Sequence, residues 1–313
     1  MEYRELGNSG LMVSEVILGT WSMGGTEWGT TDDSESIAAI GRGIELGITT
    51  IDTAPAYGWG HAEELVGEAI QGYPREELII ASKTGLDHDE ARPFFRNCSR
   101  EHVIRTIDES LSRLRTEYID LHQIHWPDPD TPLEETMEAM VEIQQAGKVR
   151  HIGVSNFDAD LMEGALKATK IASLQPPYNL FRRGIETDIL PFCREHGIGV
   201  IVYSPLAKGL LTGKFKGDET FPENDVRRHN PQFHGEEFEK NAAMVERLRP
   251  IAEKYGKTRA QLAIRWILEQ PGISAAIVGA KRPSQVEDNA GASGWRLSEE
   301  DMAEMAEIFG RNA

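Results

Sequence analysis

The stretch Ile48-Thr49-Thr50-Ile51-Asp52-Thr53-Ala54-Pro55-Ala56-Tyr57-Gly58 opens on a short apolar, β-branched run, ends that run on a carboxylate, and places a tyrosine in the loop that follows. Short runs of this kind, bounded by turn formers, read as strands buried in a sheet. The arrangement recurs twice downstream: residues 78–82 lead into Lys83, and residues 119–124 lead into His125. Asp52, Tyr57, Lys83 and His125 therefore all stand at or just beyond strand ends. A (β/α)8 barrel gathers its catalytic groups at that place, because there a rigid sheet presents side chains from several strands to one pocket. The expected fold is an α/β (β/α)8 TIM barrel.

Strand and helix signals alternate along the rest of the chain, as a parallel sheet with crossover helices requires. Upstream, residues 3–6 and 12–13 flank the turn Gly7-Asn8-Ser9-Gly10 and read as an N-terminal hairpin able to plug the barrel floor. The first barrel strand is then 16–18. Helices are read at 34–46, 61–70, 101–114, 159–169, 186–196, 238–255 and 258–268; in the third of these Ile104, Ile107, Leu111 and Leu114 form one apolar stripe. Thr131-Pro132-Leu133-Glu134 reads as a further helix start, with a capping Thr, Pro in the first helical position and Glu at the capping-box position. The remaining strands are 149–154, 171–175, 199–203 and 275–278, followed by helices at 283–290 and, behind Ser298, at 299–309. The longest insertion, 208–234, is rich in Gly, Pro and charge and is expected to be a functional loop after strand seven.

A chain of 313 residues is long enough for one barrel, so a single domain spanning 1–313 is expected. No stretch is apolar enough to span a bilayer, and residues 1–10 carry charge where a signal core would be apolar, which points to a cytoplasmic protein. Cys98 and Cys193 lack the spacing of a disulfide framework or a metal site. The net charge of -18 argues against nucleic acid and anionic membrane, since both demand a basic face. The nine histidines include no H-E-x-x-H, and the carboxylates near 87–90 and 128–130 lack calcium-loop spacing, so no metal is expected. The expected partner is a small carbonyl compound, and a monomer is favoured over an oligomer.

A phenol of pKa ~10 serves as an acid–base catalyst near neutrality only if a neighbouring cation stabilises its ionised form. Lys83 is placed to be that cation for Tyr57, with Asp52 as its counter-ion and His125 able to bond a substrate oxygen or relay a proton. Singly, each has a plain structural reading: Asp52 as a turn cap, Lys83 snorkelling, Tyr57 as loop packing, His125 as a satisfied core histidine. Together on adjacent strand ends they suit protonation of an alkoxide as hydride reaches a carbonyl carbon. The chain has no G-x-G-x-x-G between a strand and a helix, so a nucleotide must be held otherwise. Gly279-Ala280-Lys281-Arg282-Pro283 follows the last strand and opens a helix, which sets backbone N–H groups and two cations where a phosphate would dock. Lys208, Lys214, Arg227 and Arg228 offer further positive charge in the long loop, against a reading of Lys208 and Arg228 as solvated loop charges. Tyr203, ending strand seven, is placed to stack on a nicotinamide ring or to pack in the core.

These residues resemble the aldo-keto reductase family over nearly the whole chain. The matching motifs are 52–58, Ser82-Lys83-Thr84, 121–127 with His125, Gly153-Val154-Ser155-Asn156-Phe157 and 279–289. The phrase His125-Trp126-Pro127-Asp128-Pro129-Asp130 looks most like the bacterial branch of general stress and inositol-operon reductases. The resemblance implies a TIM barrel that binds NADPH and reduces aldehydes or ketones. It implies Tyr57 as general acid, Lys83 and Asp52 tuning it, and His125 orienting the carbonyl. For the cofactor it implies Gly19, Thr20 and Trp21 at the mouth, Ser155, Asn156 and Gln175 on the carboxamide, and Tyr203 on the ring. Ser204, Pro205, Leu206, Lys214 and Arg227 match the pyrophosphate belt; Gly279, Lys281, Arg282, Gln285, Asp288 and Asn289 match the adenosine-phosphate segment. Asp288 stands where many relatives carry Glu. Trp28, Trp59 and Trp126, with Trp21, Phe94 and Phe95, lie in mouth loops and are candidates to wall the substrate pocket. The rival readings are alcohol or polyol oxidation and a non-catalytic NADPH-sensing module like the family's potassium-channel β-subunits.

Overall fold

The computed structural model describes residues 1–310. Eight parallel strands close into a barrel: β3 (Val16–Gly19), β4 (Thr50–Asp52), β5 (Ile79–Thr84), β8 (Ile119–Ile124), β9 (Val149–Ser155), β10 (Ser173–Gln175), β11 (Gly199–Val202) and β12 (Ile273–Gly279). β12 pairs with β3 to complete the ring, setting Gly279 opposite Gly19 at the mouth. The hairpin of β1 (Tyr3–Glu5) and β2 (Met12–Ser14) lies at the opposite end, as expected. Its Leu6, Leu11 and Val13 join Ile17, Ala81, Leu121, Ala172, Ile201, Ala275 and Ile277 in one buried cluster, which fills the barrel interior from below. Gly7 is required there: its φ is +56°, and a Cβ would lie 2.3 Å from the Gly197 carbonyl oxygen.

Side chains alternate between the two faces of a strand. The alternation that buries Ala81 and Leu121 inside the barrel therefore aims Lys83, Gln123 and His125 along the same interior toward the mouth. The opposite faces bear Leu18, Ile51, Ile80 and Ile152 against the surrounding helices, in a second and larger apolar cluster. Those helices are α1 (Asp33–Glu45), α2 (His61–Ala69), α3 (Arg100–Leu114), α4 (Leu133–Gln145), α5 (Ala159–Leu166), α6 (Ile189–His196), α7 (Gly235–Glu246), α8 (Leu248–Lys254), α9 (Arg259–Leu268), α10 (Pro283–Ala290) and α11 (Glu299–Phe309). Asp32, Ser99, Asp158, Thr258 and Ser298 each cap a helix with a side-chain oxygen, which satisfies amides that the helix leaves open. Among the described residues no helix is long and apolar enough to cross a membrane.

Four expectations need correction. Pro132, not Thr131, is the cap residue of α4; the Thr131 hydroxyl instead donates to Asp128 Oδ2 at 2.7 Å and closes the preceding turn. The helix read across 238–255 is two, α7 and α8, meeting at Arg247. Pro250, which lacks an N–H, explains the break, because it cannot bond back to the last turn of α7. The 171–175 strand begins at Ser173, and helix α6 begins at Ile189 behind a 3-10 turn. The loop after β5 holds a short hairpin, β6 (Leu86–Asp87) with β7 (Phe95–Arg96), that two-residue strands give no periodic signal to reveal.

Candidate active site

Lys83 is buried at the C-terminal end of β5, and its ammonium spends its three donors on three acceptors: Asp52 Oδ1 at 2.6 Å, the Thr53 carbonyl at 3.0 Å and Tyr57 Oη at 3.1 Å. The second Asp52 oxygen accepts from Gln175 Nε2 at 2.8 Å. The His125 ring meets Tyr57 edge-on, with centroids 5.8 Å apart. The four ionisable groups expected from the sequence are thus one cluster.

Its electrostatics differ from expectation in one respect. Lys83 does not bring the resting phenol toward ionisation: burial and the Asp52 charge push the Tyr57 pKa well above its ordinary value. The reason is that Asp52 neutralises Lys83 at contact distance, so little net positive charge reaches the phenol. Burial also lowers the Lys83 pKa, against the opposing pull of Asp52. The Lys83 N–H takes a lone pair of Tyr57 Oη and leaves the phenolic proton free to donate outward. It stands ready for the negative charge that develops as this proton departs. Burial and Lys83 hold His125 well below the usual imidazole range, so its ring is neutral and offers one N–H and one lone pair.

Around this cluster the strand ends are cross-linked. Ser155 Oγ donates to the Gln175 carbonyl at 2.8 Å, Asn156 Nδ2 to the His125 carbonyl at 3.0 Å, and Tyr203 Oη to Asn156 Oδ1 at 2.9 Å. Thr20 is buried and donates twice to the Asp52 carbonyl, which makes it a support for β4. Among the described residues six non-glycine residues have positive φ; apart from Arg115 at the end of α3, these are Trp59, Asn156, Ser204, Ala207 and Lys208, all in mouth loops. Backbone held in the left-handed region costs of order 1–3 kcal/mol per residue and concentrates at functional sites.

Two loops meet over the pocket. The Val226 N–H donates to the Glu27 carbonyl at 3.0 Å, and Trp28 and Asp225 form a β-bridge. Trp28 packs edge-on against Trp21 with centroids 5.1 Å apart, and Trp21 lies 6.4 Å from the Tyr57 ring. Trp59 and Trp126 are also at the mouth but engaged elsewhere: Trp59 stacks on His88 at 3.9 Å, and Arg96 lies over Trp126 at 5.4 Å. Phe95 lies under Arg92, and Phe94 is exposed on the hairpin. Glu27, whose carboxylate accepts from Trp21 Nε1 at 2.6 Å, was not legible, nor were Gln123, His88 and Asp225. Glu27, His88 and Asp225 are single polar residues in loops, and Gln123 a neutral residue within strand β8, so no periodic or charge pattern marks them.

The expected phosphate-binding residues divide. Lys214, Arg227, Lys281 and Arg282 converge: burial and then Arg227 and Arg282 lower the Lys214 pKa, and burial and then Arg227 lower that of Lys281. Arg227 pairs with Asp225, Nε to Oδ1 at 2.8 Å. Lys281 Nζ donates to the Trp28 carbonyl at 2.6 Å, and Gln285 Oε1 accepts from the Lys281 N–H at 2.8 Å. Asp288 Oδ1 accepts from Thr258 and Gln261 at 3.0 Å each, which ties α10 to α9. Asn289 Nδ2 reaches the Gly279 carbonyl at 3.4 Å, and Pro205 is buried beside the half-buried Ser204 and Leu206. The Arg282 guanidinium is exposed and makes no hydrogen bond or ion pair among the described residues.

Residues 15–309 match the Aldo/keto reductase family. The chain belongs to that family. It is 44% identical to the aldo-keto reductase YhdN of Bacillus subtilis over 99% of this chain and 94% of that one. It is 35% identical to the NADH-specific methylglyoxal reductase of Escherichia coli, over 98% of each chain. The solved structure of the glycerol dehydrogenase AKR11B4 from Gluconobacter oxydans superposes with a TM-score of 0.90 at 40% identity, over 99% of this chain and 95% of that one. The protein is therefore an aldo-keto reductase of bacterial type, an oxidoreductase of small molecules whose family uses nicotinamide cofactors. The residues here fit such a group: Lys214, Arg227, Lys281 and Arg282 gather in a chain of net charge -18, answered by Asp225 and, at Lys214, by Glu219, and Tyr203 offers a ring beside Tyr57 at the other end of the mouth.

One buried group lies outside this chemistry and bears on stability. His122 faces outward on β8, buried with neither ring nitrogen hydrogen-bonded among the described residues. Burial, and then Lys83, push its pKa down to about 3. An unfolded histidine protonates near pH 6.5. The stability tied to neutral His122 is therefore complete above pH 6.5 and is lost as pH falls toward 3, at ~1.4 kcal/mol per pH unit. Urea unfolding should show wild type losing about 2 kcal/mol more than His122→Leu between pH 7 and pH 5. Equal losses would show that His122 is solvated or paired.

Proposed function

We propose that this protein catalyses NADPH-dependent reduction of aldehydes or ketones to alcohols, with Tyr57 as the proton donor, as a single cytoplasmic, monomeric unit spanning residues 1–313. The observation that supports this reading best is the contact of Lys83 with both Asp52 and Tyr57 beside a neutral His125. The cofactor supplies hydride when bound. Tyr57 supplies the proton to the nascent alkoxide oxygen. Lys83 meets the developing phenolate, Asp52 keeps Lys83 charged and in place, and the His125 N–H orients the carbonyl oxygen. Ser155, Asn156 and Gln175 would hold the carboxamide, Tyr203 the ring, Ser204, Leu206, Lys214 and Arg227 the pyrophosphate, and Arg282 the adenosine phosphate. Trp28, Trp59 and Trp126 would bound the substrate.

Direction follows from the same chemistry. Oxidation of an alcohol needs Tyr57 as a phenolate, which burial and Asp52 oppose. The oxidative rate should therefore climb as pH rises through the alkaline range while the reductive rate, which uses the protonated phenol, stays level; an oxidative rate that does not climb would contradict the assignment. A non-catalytic sensing module would not need the complete Asp52, Tyr57, Lys83 and His125 cluster.

The cofactor is the finer point, because the similar Escherichia coli protein is NADH-specific. Charge-assisted hydrogen bonds of roughly 1.5–3 kcal/mol to a 2'-phosphate imply at least about tenfold preference for NADPH. Titration by tryptophan fluorescence, paired with an NADPH-oxidation screen across aldehydes, ketones and sugars, tests both parts. Tighter binding of NADH, or no turnover in the screen, would overturn them.

A further inference from the structure

Lys281 faces two claims on one ammonium. Its Nζ donates to the Trp28 carbonyl at 2.6 Å and lies 3.4 Å from that of Thr30. Trp28 is the residue through which the 24–31 loop joins Asp225 and packs on Trp21 beside Tyr57. The Arg227 guanidinium lies 5.3 Å from the Trp28 ring, so the opposing segment grips the same residue. A lysine that turned to a phosphate would leave these carbonyls without its N–H groups and release the loop from the β12–α10 turn. Arg282, its neighbour, is exposed, carries five donors in a planar fork suited to phosphate, and has no competing hydrogen bond or ion pair among the described residues.

We propose that Lys281 is a positioning residue that fastens the Trp28 loop across the pocket mouth, and that Arg282 alone of the pair contacts the adenosine phosphate. The Arg282 half rests on the NADPH reading given above; the Lys281 half does not. A cation at the far end of the mouth thereby acts on the substrate end. It holds Trp28, Trp28 holds Trp21, and Trp21 bounds the space in front of Tyr57.

Hydrogen exchange of the ligand-free protein tests the tie directly, with the Val226 amide as reporter because it bonds to Glu27 across the two loops. Lys281→Met should speed exchange there about tenfold, Lys281→Arg should restore protection, and Arg282→Met should exchange as wild type. Calorimetric titration with 2',5'-ADP tests the other half. Arg282→Met should weaken binding about tenfold or more, and Lys281→Met less than about threefold. In turnover, Lys281→Met should raise KM for the carbonyl compound more than it lowers kcat. Wild-type exchange in Lys281→Met, or 2',5'-ADP binding weakened as much there as in Arg282→Met, would overturn the Lys281 assignment. Failure of wild type to bind 2',5'-ADP would overturn the Arg282 half and the NADPH reading, with the exchange result still deciding Lys281.

Discussion

Tyr57→Phe is expected to lower kcat for carbonyl reduction by ~10² or more, the usual scale of general acid catalysis, while leaving NADPH affinity within about twofold. The substitution removes one oxygen. That oxygen accepts from Lys83 at 3.1 Å and carries the proton that burial and Asp52 keep in place. The ring, its packing against Trp21 and its edge contact with His125 remain. Loss confined to kcat and kcat/KM therefore reports the proton, not the shape. Fluorescence titration alongside steady-state kinetics makes the separation; unchanged turnover would remove Tyr57 from the chemistry.

Lys83→Met should suppress the chemical step to a similar degree and also destabilise the fold. Asp52 and Lys83 are both almost fully buried, and deleting Lys83 strands the Asp52 charge with Gln175 as its one remaining side-chain partner among the described residues. Removal of one member of such a pair costs about 3–5 kcal/mol, whereas replacing both with neutral groups costs much less. The double variant Lys83→Met, Asp52→Asn should accordingly regain much of the lost stability in urea unfolding and none of the lost turnover. Single-turnover kinetics showing a normal rate in Lys83→Met would contradict this role. A double variant no more stable than Lys83→Met would show that Asp52 is not stranded.

The residues legible in sequence were those whose position a repeating pattern determines. Period-2 alternation with a strand end places Asp52, Lys83 and His125 inward whatever the loops do, and strand-to-helix alternation carried the barrel with it. Interactions set by tertiary contact were not legible. Thr131 looked like a cap, but Asp128 takes its hydroxyl. Lys281 stands where the sequence places a phosphate anchor, and the fold adds two carbonyls of a loop some 250 residues earlier within its reach. Lys83 was expected to draw Tyr57 toward ionisation, and the 2.6 Å contact with Asp52 cancels much of that field. For Thr131 and Lys281 the sequence shows the donor and the fold shows which acceptor lies within its reach; for Lys83 the sequence names Asp52 as the partner, but not how far that contact offsets the field at Tyr57.

The most direct test of the proposed chemistry follows the hydride. NADPH dideuterated at nicotinamide C4 is mixed with wild-type protein and an aromatic aldehyde, and the product is analysed by mass spectrometry. The predicted product is the alcohol with one deuterium on the former carbonyl carbon, formed at least ~10² more slowly by Tyr57→Phe. A wild-type protein that binds NADPH but yields no deuterated alcohol across aldehydes, ketones and sugars would contradict it.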